Sequence, residues 1–250
     1  MIIQTEEELK KMKEIGKICA IILQKMIAAT EPGITTKELD EMAGKWMKEY
    51  GVISAPIACY DFPGYTCISV NEEIAHGIPG SRIIQKGDMV NIDISASLDG
   101  YYGDTARSFF VGQGDKVGEH LIKTAQKALN NAIQSAVAGR RINVIGKTVE
   151  ETAKKAGCKL ILNLCGHGVG HTIHDEPEMI NNYYDPKERR KLQPGMVIAI
   201  EPFISEKERY VVEDKKDGWT LRTPHWTRAA QCEHTIMVTE KRPVILTLAD

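Results

Sequence analysis

Apolar positions recur at Ile15, Ile18, Cys19, Ile22, Leu23 and Met26, the three- or four-residue spacing of one buried helix face. Thr5 and Glu8 form a capping-box signature ahead of them, so the pattern predicts a helix from Thr5 to about Ala29. Glu31-Pro32-Gly33 breaks the chain, Thr35 and Glu38 repeat the box, and Leu39, Met42, Ala43, Trp46 and Met47 predict a second helix ending near Gly51. The period then shortens. Val52 to Ile57 and Thr66 to Val70 read as short strands, and Met89 to Ser97 with Tyr102 to Val111 read as a hairpin around Asp99-Gly100. Helical spacing returns from Val117 to Val137, and Asn143 is the expected cap of a further helix stopping at Gly157.

The second half repeats the first. Ile34 and Ile142 are 108 residues apart, and so are Gln85 and Gln193, Gly87 and Gly195, Ile92 and Ile200, and the acids Asp93 and Glu201. One shared offset for separate features predicts two copies of a helix, helix, strand-pair unit, about 5–115 and 116–250, within a single domain. Two copies make a duplicated domain rather than a solenoid. Glu206 to Arg228 reads as an irregular insertion in the second copy, a length of loop more often functional than idle.

Composition narrows the class. The 250 residues are 42% hydrophobic and 26% charged with 21 Gly and 10 Pro, which excludes a disordered, collagen-like or coiled-coil chain. Lys plus Arg against Asp plus Glu is 32 − 34 = −2, so nucleic-acid or membrane-surface binding lacks its usual positive footprint. No run approaches the roughly 18 apolar residues of a membrane span, and the first ten residues are too acidic for a secretory signal; the expected location is the cytoplasm. Six cysteines without a Cys-x-x-Cys pair read as reduced, mostly buried thiols.

The offset places a carboxylate on the first strand of each pair, Asp93 in Asn91-Ile92-Asp93-Ile94 and Glu201 in Ala199-Ile200-Glu201-Pro202. A two-residue alternation could turn either acid to solvent. The second strands add Asp104 and Glu233, and four carboxylates on two related hairpins can converge at one centre, where only cations make them tolerable. Gly166-His167-Gly168-Val169-Gly170-His171-Thr172-Ile173-His174 adds imidazoles in a backbone that can approach a site closely. It lacks the Glu and the helix of the zinc metalloprotease pattern. His76, in Glu73-Ile74-Ala75-His76-Gly77, stands alone after a strand, and each histidine taken singly also fits an ordinary hydrogen-bonded turn. Four acids and one histidine suit two divalent cations about 3.5 to 4 Å apart, sharing a water of lowered pKa. Four negative and four positive charges with a bridging hydroxide leave about −1, which favours a substrate ammonium.

With these residues in view the chain closely resembles type I methionine aminopeptidase of the bacterial single-domain form. The resemblance rests on Asp93, Asp104, His167, Glu201 and Glu233, on Cys67-Ile68-Ser69-Val70-Asn71-Glu72-Glu73-Ile74-Ala75-His76-Gly77-Ile78-Pro79, and on Gly166-His167-Gly168-Val169-Gly170. It implies an α+β pita-bread fold of two pseudo-symmetric halves around a dinuclear site of two divalent ions drawn from Co, Mn, Fe or Zn. Asp93, Asp104 and Glu233 would hold one ion and Asp104, His167, Glu201 and Glu233 the other. It further implies that a bridging hydroxide attacks the carbonyl after an N-terminal Met, that Glu201 shuttles its proton, that His174 steadies the oxyanion, and that His76 contacts the substrate amide. The methionine pocket would be Phe62, Cys67, Ile173 and Trp219, with Cys59 beside them, and a monovalent cation would sit near Asn71. The implied partners are N-termini of nascent polypeptides at the ribosome when the second residue is small, with no specific nucleic acid, no membrane and a monomeric state. Cys59, Cys232, His171-Thr172 and Ala229 depart from the family's usual residues. Aminopeptidase P and prolidase share the ligand set but carry a large N-terminal domain. A metal-free binding module would have lost ligands that are present here, and a two-metal phosphatase would leave the methionine-like pocket unused.

Overall fold

Thr5 accepts a hydrogen bond from the Glu8 amide while the Glu8 carboxylate accepts from that of Thr5, which closes the N-terminus of α1 (Glu6–Ala29). The same reciprocal pair at Thr35 and Glu38 starts α2 (Thr36–Tyr50), and Gly51 ends it in the left-handed conformation at φ 69°. The computed structural model describes residues 1–249; Asp250, the end of the expected domain, lies outside the described residues. Among the described residues no helix is long and apolar enough to cross a membrane. All six cysteines are free thiols, but the expected burial holds for Cys19 and Cys232 alone; Cys67, Cys158 and Cys165 are half-buried and Cys59 is exposed.

The chain continues through β1 (Ile53–Ser54), α3 (Ala55–Tyr60), β2 (Cys67–Val70), β3 (Glu73–Ala75), β4 (Met89–Leu98) and β5 (Tyr101–Phe110). After these come α4 (Lys116–Ser135), α5 (Asn143–Lys155), β6 (Lys159–Leu160), β7 (Cys165–Gly168), β8 (Asp175–Asn181), β9 (Val197–Ile200) and β10 (Phe203–Ser205). The last strands are β11 (Val212–Glu213), β12 (Leu221–Arg222), β13 (Ala229–Gln231), β14 (His234–Met237) and β15 (Val244–Ile245).

Three local expectations change. Val52 to Ile57 is a strand for two residues only, because Ser54 caps the Ile57 amide and Pro56 sits in the first turn of α3; local capping outweighs the β-branched run. Asn143 does not cap α5: the N-cap is Ile142, and the Asn143 amide instead donates to the carbonyls of Asp185 and Glu188. The 206–228 insertion is not wholly irregular, since β11 and β12 form a hairpin that adds to β3 of the first half.

Period-two alternation sets the faces of the hairpin β4–β5, whose turn at Asp99 (φ 51°) and Gly100 (φ 80°) has the two positive φ values of a tight type I′ connection. Val90, Ile92, Ile94 and Ala96 join Ile15, Ile22, Met26 and Leu39 in a core beneath α1 and α2. Asn91, Asp93, Ser95 and Ser97 therefore share the opposite face. In the second half Ile198, Ile200 and Ile236 pack with Leu121, Leu129 and Val149 beneath α4 and α5. Glu201 falls on the face of Val197 and Ala199. Two helix-backed cores thus turn their polar strand faces toward each other.

The two halves share one pairing plan. Ser97 pairs with Ile53 and Ser205 with Lys159; Asn91 pairs with Ser69 and Ala199 with His167; each pair of positions on the long strands lies 108 residues apart. β9 with β14 and β10 with β13 keep one register, His234 opposite Ile200 and Gln231 opposite Phe203, interrupted at Pro202, which has no N–H for the ladder.

Candidate metal centre and active site

Each acid reaches the centre through strand register. Asp104 is opposite Ser95 and Ala106 opposite Asp93, so Asp93 and Asp104 are diagonal neighbours on one face of the β4–β5 hairpin. Continuing the register of the second hairpin past Pro202 sets Glu201 across from Glu233. The two hairpins meet at an isolated bridge between Arg107 and Cys232. There the Glu233 amide donates to the Ala106 carbonyl at 2.9 Å, Thr105 Oγ1 donates to the Glu233 carbonyl at 2.9 Å, and the Asp104 amide donates to Thr235 Oγ1 at 3.0 Å. This seam brings the acids of the two halves together.

His167 arrives from β7. A Cβ on Gly166 would lie 2.3 Å from the Ala199 carbonyl oxygen and one on Gly168 2.3 Å from that of Glu176, so the glycines on either side admit the backbone contacts that seat the ring. His167 Nδ1 lies 2.8 Å from the Gly168 carbonyl, an acceptor only, so Nδ1 carries the proton and the Nε2 lone pair faces the acids. Nε2 is 3.6 Å from Asp104 Oδ2 and 3.5 Å from Glu201 Oε1. Among the described residues, ligand atoms of Asp104, His167 and Glu233 lie within 4.8 Å of one another.

Burial is the largest force on these groups. It raises the Asp93 carboxyl to about 6. Burial first, then the neighbouring carboxylates, raises Asp104, Glu201 and Glu233 well above the usual range. Burial, followed by the nearby His174, holds His167 down at about 4, and burial lowers His76 and His174 as well. Gln231 lies between the two second-half acids, and its Nε2 donates to Glu201 Oε2 at 3.2 Å and Glu233 Oε2 at 3.3 Å. Asp104 Oδ1 and Glu233 Oε1 are buried without any hydrogen-bond partner. Orphaned carboxylate oxygens facing a neutral imidazole are the donor set of a hard or borderline divalent cation, and the residues fit such a group.

A cavity of about 220 Å³ opens from this cluster. Asp93, Asp104, His167, Glu201 and Glu233 line one part, with His76 and His174; Phe62, Cys67, Ile173 and Trp219 line another, and Pro56, Tyr60 and Ser95 complete the wall. Phe62 and Trp219 meet edge to face with ring centroids 5.2 Å apart. Cys59 is not among the lining residues; it lies exposed on α3 with Sγ 3.7 Å from the Tyr102 hydroxyl. Asn71 has its side-chain oxygen taken by the Met89 amide and its amide donating to Asp88, which locks a turn at φ 57°. Ala229 is buried opposite Ser205.

Sequence reasoning missed Tyr60 and Gln231. Tyr60 lines the cavity and its hydroxyl hydrogen-bonds His174 Nδ1. The signal lay in Ser54 and Pro56, whose helix-starting chemistry turns Tyr60 inward at the end of α3. Gln231, two residues before Glu233, was readable as the same-face neighbour of that acid.

Comparison with known proteins agrees with this geometry. The sequence model of metallopeptidase family M24 matches residues 10–240. A methionine aminopeptidase of Staphylococcus epidermidis is 47% identical over 251 residues, covering 100% of each chain. The crystal structure of methionine aminopeptidase from Rickettsia prowazekii superposes with a TM-score of 0.94 at 34% identity, over 99% of this chain and 100% of that one. Prolidase from Pyrococcus furiosus, 22% identical with a TM-score of 0.78 over 100% of this chain and 66% of its own, shares the fold alone. With the pita-bread arrangement, the acid and histidine cluster and these full-length likenesses together, the chain belongs to metallopeptidase family M24, among its methionine aminopeptidases.

Proposed function

We propose that the protein removes N-terminal methionine from peptides and nascent chains whose second residue is small. The observation that carries this reading is one cavity with five candidate ligand residues at one part, Asp104, His167 and Glu233 buried and Asp93 and Glu201 half-buried, and an apolar wall at the other. Asp93, Asp104 and Glu233 would hold one divalent ion, and Asp104, His167, Glu201 and Glu233 a second, drawn from Co, Mn, Fe or Zn. When bound, such ions supply Lewis acidity and a water acidic enough to serve as nucleophile near neutral pH.

The chain's own residues do the rest. Phe62, Trp219, Cys67 and Ile173 bury a flexible apolar side chain such as methionine's. Four clustered carboxylates attract an α-ammonium, so a formylated terminus would be refused. His174, kept neutral by burial and oriented by Tyr60, offers a ring N–H to the scissile carbonyl oxygen as charge develops there. His76, held at φ 54°, contacts the substrate amide. Glu201, tethered through Oε2 to Gln231, holds the proton destined for the leaving nitrogen. A monovalent cation near Asn71 would rest on backbone carbonyls, because the side chain is already engaged. The shared 108-residue offset supports an internal duplication. The reading puts the protein in the cytoplasm, a monomer acting on nascent chains at the ribosome.

Free methionine should be released rapidly from Met-Ala-Ser, slowly from Met-Lys-Ser, and not at all once a chelator has removed metal. Equal release from both peptides would overturn the selectivity, and release indifferent to chelator would overturn the metal chemistry.

A further inference from the structure

Beyond the cavity, five charged side chains from four separate segments form one sheltered network. The Arg222 guanidinium donates to Asp214 Oδ2 at 3.2 Å, to Glu72 Oε1 at 3.2 Å and to Glu73 Oε1 at 2.9 Å. Arg82 joins the same two glutamates at 3.1 and 3.0 Å. Glu73 Oε2 in turn accepts the Val70 amide at 2.9 Å. The Arg222 and Glu73 side chains are only 17% and 12% exposed, and the Trp226 ring lies 5.3 Å from the guanidinium carbon. Water screens such a network less than it screens a surface ion pair.

Its position gives it a consequence for the site. Arg222 is the last residue of β12 and pairs with Glu73 of β3, one residue out of register with the pair of Leu221 and Ala75, so a bulge falls between them. Immediately after Ala75 the chain delivers His76 to the cavity, and two residues before Leu221 it delivers Trp219. Asp217 closes the turn before Trp219 by accepting from the amides of Trp219 and Thr220. The 206–228 insertion is anchored elsewhere by Arg228 on Asp115, so Arg222 is the ionic contact at the end that carries Trp219.

We propose that Arg222 is a positioning residue whose guanidinium, shared among Asp214, Glu72 and Glu73, locks the insertion to β3 and so sets Trp219 against Phe62 in the methionine pocket. The proposal rests on the methionine-releasing reading above. Arg suits the role because Nε, Nη1 and Nη2 each meet a different carboxylate from fixed points of a planar fork, a spread that the single nitrogen of a lysine ammonium lacks.

The test uses the metal-loaded full chain and the peptides Met-Ala-Ser and Leu-Ala-Ser. Arg222→Met should raise KM for Met-Ala-Ser about tenfold with kcat within about threefold of wild type, and should narrow the preference for Met over Leu, as expected when binding rather than chemistry is lost. Arg222→Lys should recover part of both. A KM changed less than about twofold, or a loss confined to kcat, would overturn the proposal. Should Arg222→Met not fold, Glu72→Gln decides: it weakens an arm that ties the insertion to the β3 segment, and a KM rise of about threefold supports the proposal where an unchanged KM overturns it. Trypsin supplies a readout free of substrate. Cleavage after the exposed Lys215 or Lys216 should speed up about fivefold in Arg222→Met, because local opening of the insertion becomes easier. An unchanged cleavage rate overturns the proposal, whereas failure of the wild-type chain to release methionine strikes only the activity reading.

Discussion

The β4–β5 hairpin and its counterpart in the second half perform different tasks with the same pairing plan. β4 and β5 pair without a break from Met89 with Phe110 to Leu98 with Tyr101. The second hairpin is cut into β9–β14 and β10–β13, and the cut falls at Glu201-Pro202 and Cys232-Glu233. The intact ladder supplies Asp93 and Asp104 as ordinary inward-facing strand residues. The broken one gives up hydrogen bonds where Glu201 and Glu233 must turn to the centre, and Gln231 then restrains both acids. The third strand differs too: Ser69 opposite Asn91 in the first half is answered by His167 opposite Ala199 in the second. One scaffold is therefore rigid where it frames the site and specialised where it supplies the imidazole.

The sharpest test of that contrast truncates each of the two equivalent positions in turn. His167→Ala should lower kcat/KM on the order of a thousandfold, because it deletes a candidate ligand and leaves carboxylates facing an empty corner. Ser69→Ala removes only the acceptor for the Gly77 amide, at 3.1 Å, and should cost about 1 kcal/mol of stability with kcat/KM within about threefold. Comparable losses in both variants, measured by methionine release and thermal melts, would erase the asymmetry.

Metal removal should come next in size. Chelation should lower Tm by about 5 to 10 °C for each tightly held ion. In the chelated protein the carboxyls have raised pKa values, so the folded chain keeps protons that the unfolded chain gives up near pH 4. The stability from this source is present below pH 4 and is lost as pH climbs through the folded values, about 6 for Asp93 and well above the usual range for Asp104, Glu201 and Glu233. His167, lowered to about 4, acts with opposite sign but only between pH 4 and about 6.5. From pH 6.5 to 8.5, then, Tm of the chelated protein should fall while that of the metal-loaded protein stays nearly flat. A rising Tm in the chelated sample would contradict the crowding of the four acids.

Gln231→Leu should weaken metal affinity by about 10 to 100-fold, since it frees both acids of the broken hairpin; isothermal titration would show it. The smallest effect belongs to Tyr60→Phe, which removes one hydrogen bond to His174. It should lower kcat about fivefold at near-constant KM, corresponding to roughly 1 kcal/mol. In a His174→Ala background the same change should do nothing further, and a full additional fivefold loss there would detach Tyr60 from His174.

What the sequence determined by itself was local or periodic. The capping boxes at Thr5 and Thr35, the Asp99-Gly100 turn and the alternation through Asp93 each depend on residues a few positions apart, where chain connectivity enforces the geometry. The 108-residue offset carried the relation between the two halves, and the spaced motifs carried the candidate ligand residues. Tertiary structure decided which strand face is the interior one, because alternation alone does not distinguish solvent from a facing sheet; the cores beneath α1 and α4 settled that for Asp93 and Glu201. It also decided α3, where one serine and one proline outweighed β-branched neighbours, and with it Tyr60. The Arg222 network was beyond reach in the sequence. Its five charges come from four separate segments, each unremarkable alone, and the addition of β12 to the edge of β3 makes them neighbours.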